Sequence, residues 1–396
     1  MKATLKRALG WPRLPQAARE EQRRDATGLP AADPGTDRVL PALMAWLCRA
    51  QDQSSTHDGG VARDFSLVNG WASSYPETTG YIIPTMFAYA RRTGQMEYRE
   101  RALRMTDWLV KIQFAEGGFQ GGKIDSKPVV PVTFNTGQIL LGLVAAQAET
   151  LGYLEPMRRA ADWLVRTQDE DGSWHRHQSP FAAVGDKQYE THVALALFEA
   201  ARLDPTRGYG VAGLKNVRWA LSGQTPNGWF PACSLTDPQR PLTHTLGYAL
   251  RGVLEAHRYE PASDLLDGAQ RTARGLLGAL RPDGFLPGQL ASDWSAQAEW
   301  ACLTGTAQVA HCWLILHELT GEARYLQAAM RANAFVRRTV RVDGQPDTLG
   351  AVKGSFPVNG AYGPHEYPNW AAKFLADGLM LEADVLLRRA PSVAGA

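Results

Sequence analysis

The chain has 396 residues, room for one large domain or two ordinary ones, with 44% apolar and 21% charged residues as in a folded protein. Lys and Arg (42) nearly balance Asp and Glu (40), which argues against nucleic-acid binding by phosphate neutralisation; the one basic cluster, Arg19 to Arg24, is diluted by two Glu. Four cysteines without a Cys-x-x-Cys argue against a disulfide framework or zinc ribbon, and no window approaches 18 uninterrupted apolar residues, so no membrane span is expected.

Along the chain, residues 1–35 come first. They carry Pro12, Pro15, Pro30 and Pro34 and no apolar stretch of signal-peptide length. They read as a loosely ordered arm of a cytoplasmic protein. An internal repeat organises the rest of the chain. Trp46 to Gln51, Trp108 to Gln113, Trp163 to Gln168 and Trp219 to Gln224 each place Gln five residues after Trp. The last three are followed by Gly117, Gly172 and Gly228, then by Phe119, Trp174 and Phe230. In the first unit the glycines are displaced to Gly59-Gly60. The same spacing leads to degenerate copies at Leu280 with Asp283-Gly284-Phe285 and at Val340 with Asp343-Gly344.

Each unit predicts a helix, a Gly turn that stops it, a long loop and a second helix. The second helices are expected to begin near Thr78, Phe134, Tyr189, Leu242, Ala301 and Asn369. They are apolar or small around most of their circumference, as in Ile139 to Ala146, and so read as buried. The first helices keep a polar face, as in Arg158, Arg159 and Asp162. Twelve helices, alternately outer and inner, predict an all-α (α/α)6 toroid of six helical hairpins over residues 36–388, with a flexible tail over 389–396.

The Gln-x-x-x-Gly-x-aromatic repeat resembles that of the prenyltransferase/squalene-cyclase superfamily of α/α toroids, which implies the fold more than any chemistry. In the C-terminal third, Cys302 to Gln308, Leu319 to Ala329 and Glu366-Tyr-Pro-Asn-Trp370 resemble glucuronyl C5-epimerases. Tyr75-Pro-Glu-Thr-Thr-Gly-Tyr81 resembles toroids associated with bacterial polysaccharide biosynthesis. The Asp-x-Asp-Asp run of triterpene cyclases and the zinc-ligand set of protein prenyltransferases are missing from the sequence.

In such a toroid all inner helices start at one end, so six starts and six long loops converge on one mouth, where helix N-termini suit anionic ligands. Polar and aromatic residues concentrate at the six equivalent places. The expected catalytic groups are Glu77, Tyr81, His192, His244, Tyr248 and Glu366. The expected substrate-binding groups are Trp71, Tyr75, Asn135, Gln138, Tyr189, Arg251, Trp300, Gln308, Tyr367, Asn369, Trp370 and Lys373. Removing the proton α to a uronate carboxylate needs a charge partner, for which Arg251, Asn135 and Asn369 are candidates, and an acid and a base among the tyrosines and histidines. Trp71, Trp300 and Trp370 suit stacking on sugar faces.

The function expected is therefore a carbohydrate-active enzyme working on a polysaccharide or oligosaccharide, as a uronate lyase or C5-epimerase. Three alternatives remain: a glycoside hydrolase using Glu77 and Glu366 as its carboxyl pair, an isoprenoid cyclase or transferase, and a non-catalytic glycan-binding toroid. No cofactor and no metal is expected, and the oligomeric state is not set by the sequence.

Overall fold

The computed structural model of the protein describes residues 14–389. Helix α1 (Gln16–Ala26) precedes six helix pairs. These are α2 (Thr36–Asp52) with α3 (Pro76–Thr93), α4 (Met96–Ile112) with α5 (Thr133–Glu149), and α6 (Leu154–Thr167) with α7 (Thr191–Leu203). Then come α8 (Tyr209–Ser222) with α9 (Thr243–Tyr259), α10 (Ser263–Ala279) with α11 (Leu303–Thr320), and α12 (Ala323–Thr339) with α13 (Asn369–Arg389).

The two members of a pair differ in how much apolar surface they must hide. Outer helix α6 buries Met157, Ala160, Ala161 and Leu164 and leaves Arg159 and Arg166 in solvent. Inner helix α11 is buried from Leu303 to Leu316 apart from His311. A helix apolar all round needs neighbours on every side, and the inner helices find them in each other. They pack α3 to α5, α7, α9, α11 and α13 in turn, and α13 returns to α3 and closes the ring. The protein is an all-α toroid of six helical hairpins. Among the described residues no helix is long and apolar enough to cross a membrane.

The repeat residues hold successive units together. Gln113 donates to the Gly117 carbonyl at 3.0 Å and to that of Pro156, in α6, at 2.9 Å. Gln168 bridges Gly172 and Ala212 in the same way, and Gln224 bridges Gly228 and Gly268. Gly117, Gly172, Gly228 and Gly284 all have positive φ. At Gly117 a Cβ would lie 2.2 Å from the Arg159 carbonyl oxygen, and at Gly284 2.3 Å from that of Arg331. Only glycine has both the torsion and the clearance. In unit six the glycine that docks on the next outer helix is Gly350, not the aligned Gly344. Its Cβ would meet the Ala42 oxygen at 2.0 Å, which joins the last unit to the first.

Short strands tie the loops of units one and six. Strand β1 (Asp64–Ser66) lies between β2 (Gly70–Trp71) and β5 (Glu366–Pro368), both antiparallel to it, with Phe65 opposite Trp71 and Tyr367. A second pair, β3 (Ala301–Cys302) with β4 (Ser355–Phe356), ties units five and six.

The segment expected to be a loose arm contains α1, which is docked. Lys353, 2% exposed, lies 2.9 Å from Glu21 and 2.5 Å from Asp25. Asp25 also accepts the Val358 amide at 2.7 Å. Prolines flanking the helix suggested looseness, but two carboxylates four residues apart share a helix face and meet a lysine more than 300 residues later. Residues 1–13, and all of the expected tail beyond Arg389, lie outside the described residues.

Breaking a buried ion pair by removing one partner leaves an uncompensated charge. Lys353→Ala is therefore expected to cost about 3–5 kcal/mol in denaturant unfolding. Arg23→Ala, on the exposed side of α1, is expected to change stability by less than about 0.5 kcal/mol.

Candidate active site

The inner-helix starts surround a cavity of about 410 Å³. Tyr75, Glu77 and Tyr81 enter it at the start of α3, Phe134 and Asn135 at the start of α5, and Tyr189 just before α7. His244, Thr245 and Tyr248 come from the first two turns of α9, and Trp370 from α13. Tyr362 and Arg63 enter from loops, Arg63 just before β1. Tyr248 lines the cavity with His244 because residues four apart stack on one helix face.

Glu77 is the one carboxyl among the residues lining this cavity. The Tyr75 hydroxyl donates to its Oε2 at 3.0 Å. Burial lifts the Glu77 pKa to about 7, against the Tyr75 hydrogen bond and the Arg63 charge, which both favour the ionised form. His244 is set in the opposite sense. Its Nδ1 lies 2.6 Å from Gln308 Oε1. An amide oxygen only accepts, so Nδ1 carries the proton and Nε2 keeps its lone pair. Burial pushes His244 down to about 4, although the Gln308 bond opposes the shift. Burial also raises Tyr75, Tyr81, Tyr248 and Tyr362 well above the usual phenol range, so all four keep their protons near neutral pH.

Trp370 donates its indole N–H to the Tyr362 hydroxyl at 2.7 Å and lies under the Arg63 guanidinium, 5.3 Å from its ring centre. Arg63 is paired with Asp64 and, at 3.1 Å, with Glu366. Asn135, only 3% exposed, turns its side-chain nitrogen towards the Tyr75 phenol without completing a full hydrogen bond, so it can also reach an acceptor in the cavity.

Of the residues expected from sequence, Tyr75, Glu77, Tyr81, Asn135, Tyr189, His244, Tyr248 and Trp370 come together at this cavity. The others do not line it. Arg251 is seven residues beyond His244, about 10 Å deeper along the helix, and is bound to Glu255 at 2.8 Å. It is not placed to hold a substrate carboxylate. Asn369 spends its amide on the Ala62 carbonyl and the Thr78 hydroxyl, both at 2.8 Å, joining unit six to unit one. Lys373 pairs with Asp377 at 2.7 Å beneath the Tyr81 ring.

His192, expected as a base, lies behind Tyr248 with its Nδ1 2.7 Å from Gln138. Burial, then the charges of Arg251 and Lys373, keep it far below the usual range. Gln138 and Gln308 thus hold histidines rather than lining the cavity. Glu366, the second carboxyl of the hydrolase alternative, is on β5, bound to Arg63, and is not among the residues lining the cavity. Trp71 donates to Asp347 and packs on Trp46 and Phe65. Tyr367 packs on Phe65. Trp300 lies against Gly288 and Gly360.

Sequence reasoning missed Arg63, which stands in an unrepeated loop and gave no signal. It also missed Lys123, Phe181 and Leu235, which reach the cavity from the long loops. An apolar Phe-Ala-Ala-Val run inside the polar loop of unit three was the available sign. Among the described residues no group of three or more His, Cys, Asp or Glu side chains is placed to hold a metal ion.

No protein-family model and no curated protein sequence matches the chain. Solved structures do. An unsaturated glucuronyl hydrolase specific for heparin superposes with a TM-score of 0.71 at 13% identity, covering 89% of this chain and 99% of its own. A cellobiose 2-epimerase from Spirochaeta thermophila gives 0.69 at 16%, covering 94% and 99%. A D-mannose isomerase gives 0.67 at 15%, covering 91% and 99%. At these identities the likeness is one of fold.

The raised Glu77 pKa makes stability depend on pH. Below about 4.5 the carboxyl is neutral in folded and unfolded chains alike. Between there and about 7 only the unfolded chain ionises, so stability is lost as pH rises. Glu77→Gln removes this loss. Relative to the wild type it is expected to gain about 3 kcal/mol between pH 4 and pH 8 in urea unfolding.

Proposed function

We propose that the protein is a carbohydrate-modifying enzyme that works by proton transfer, with Glu77 as general acid and His244 Nε2 as general base. One observation carries this reading. A cavity walled by tyrosines and Trp370 holds a carboxyl and an imidazole whose environments drive their pKa values apart, to about 7 and about 4. A group that keeps its proton and one that keeps its lone pair at the same pH is the arrangement acid–base catalysis needs. The rings supply stacking surface for a sugar face. The phenols and Asn135 supply donors for its oxygens. That the fold is shared with a glucuronyl hydrolase, a cellobiose epimerase and a mannose isomerase adds support by analogy.

In this reading His244 takes a proton from a sugar carbon next to a carbonyl or carboxyl group, or from a sugar oxygen. Glu77 then delivers a proton to the electron-rich atom so formed. A single carboxyl does not fit hydrolysis by a pair of carboxylates. The hydroxyl-rich wall does not fit the dry chamber of an isoprenoid cyclase. A uronate-directed reaction is the second reading, favoured by Arg63 and Lys123 at the cavity. It asks Arg63 to serve the substrate while still paired with Asp64 and Glu366.

The test is incubation with neutral and uronate-containing oligosaccharides. Deuterium uptake reports epimerisation or isomerisation, ultraviolet absorbance reports formation or loss of an unsaturated uronate, and new reducing ends report hydrolysis. The profile of kcat/KM against pH is expected to be bell-shaped, rising near pH 4 as His244 loses its proton and falling near pH 7 as Glu77 loses its own. Glu77→Gln and His244→Ala are each expected to lower kcat by about 10²–10⁴. Unchanged rates in both variants would remove the assignment.

A further inference from the structure

The cavity has two kinds of wall. The deeper one consists of groups at the inner-helix starts. The outer one is an arc from three long loops: Gly122, Lys123 and Ser126 before α5, Ser179, Phe181 and Ala182 before α7, and Leu235 before α9. We propose that this arc is a second subsite, in which Phe181 is a stacking platform for the pyranose ring adjoining the one held among the tyrosines. The substrate class is then an oligosaccharide, not a free monosaccharide. This inference rests on the proposed sugar chemistry and extends it.

Three observations carry it. The first is exposure. Phe181 is 53% exposed, whereas Phe119, Phe198 and Phe230 are fully buried. A half-exposed ring lining a cavity has an apolar face with no protein partner. The C–H face of a pyranose matches such a ring, and stacking removes both surfaces from water.

The second is rigidity. Gln178 donates to the Gly185 carbonyl at 2.6 Å and accepts the Gly185 amide at 3.0 Å, which closes the loop bearing Phe181 into a braced ring. The Ala183 amide donates to the Leu235 carbonyl at 2.9 Å and ties that loop to the next. The Phe181 ring also sits directly on Gly122, where a Cβ would lie 2.5 Å from its Cε2. Gly122 is at φ +74, so a turn that accepts only glycine comfortably makes room for the ring. An exposed aromatic held from three sides is preorganised, and little entropy is lost when a ligand stacks on it.

The third is space and polarity. At about 410 Å³ the cavity is near the lower end for ligand sites and takes roughly two sugar rings. Ser126, Ser179 and Lys123 flank Phe181 within the same lining and offer donors to the hydroxyls at the edge of the stacked ring.

The experiment measures binding, so it does not depend on knowing the reaction. Wild type, Phe181→Ala and Phe181→Tyr are titrated calorimetrically with glucose, mannose and glucuronate and with α- and β-linked disaccharides of each. Thermal unfolding checks that the variants are folded, as expected for a half-exposed loop residue. The wild type is expected to bind at least one disaccharide tenfold or more tightly than its monosaccharide. Phe181→Ala is expected to abolish that difference while leaving monosaccharide affinity unchanged, and Phe181→Tyr to restore it. Equal disaccharide affinity in the wild type and Phe181→Ala, or an equal loss for monosaccharide and disaccharide, overturns the platform and leaves the sugar reading standing. Failure of every sugar to bind the wild type overturns both.

Discussion

The architecture depends on one constraint, the close approach of the glycine turns to the next outer helix, made to its backbone in units two to six and to the Trp108 ring in unit one. At Gly117, Gly228, Gly284 and Gly350 the space where a Cβ would stand is already taken by a neighbouring peptide group. The Gln side chains of the first four units reinforce this seam, each bridging a carbonyl of its own turn and one of the next helix. Both contacts are between backbone groups or directed at them, so they fix the step from unit to unit whatever the side chains elsewhere do. The step repeated six times closes, and the Gly350 contact with Ala42 is the last of the series.

Closure has a chemical consequence. Once the outer helices are in register, all six inner helices point the same way. Residues as distant in sequence as Glu77, His244 and Trp370 then share a cavity. The repeat itself contributes nothing to the lining, because its residues work at the outer seam. Scaffold and chemistry are thus carried by different residues: glycine and glutamine outside, and tyrosine, histidine and glutamate at the inner starts.

Below the cavity, the barrel axis is neither apolar nor open to charge. Lys373 is matched by Asp377, and Arg251 by Glu255. His192 and His244 both pack on the Tyr248 ring, with centres 4.6 Å away, and each is anchored by a glutamine from a neighbouring inner helix. Buried polar groups that satisfy one another fix a single arrangement. Here they lock the Tyr248 ring between two neutral imidazoles. Asn135 lines the cavity beside the Tyr75 phenol, with its side-chain nitrogen, like Nε2 of Gln138, short of a full hydrogen bond.

The sequence by itself determined the toroid, the alternation of outer and inner helices and the concentration of polar residues at the inner starts. All of these follow from spacing along the chain, and spacing is what a helix converts into a face. For that reason Glu77, Tyr81, His244 and Tyr248, expected together from their positions at the inner starts, line one cavity. Only the tertiary structure decided which polar groups were already spoken for. Arg251, Asn369, Gln308 and Glu366 have the chemistry of ligand-binding residues. Each meets a protein partner instead, one on its own helix and three on other elements. The same holds for α1, whose carboxylates meet Lys353, and for Phe181, whose ring meets the cavity among residues of three loops. Partners distant in sequence leave no periodic trace, because pairing across a fold depends on where two segments meet and not on the pattern within either.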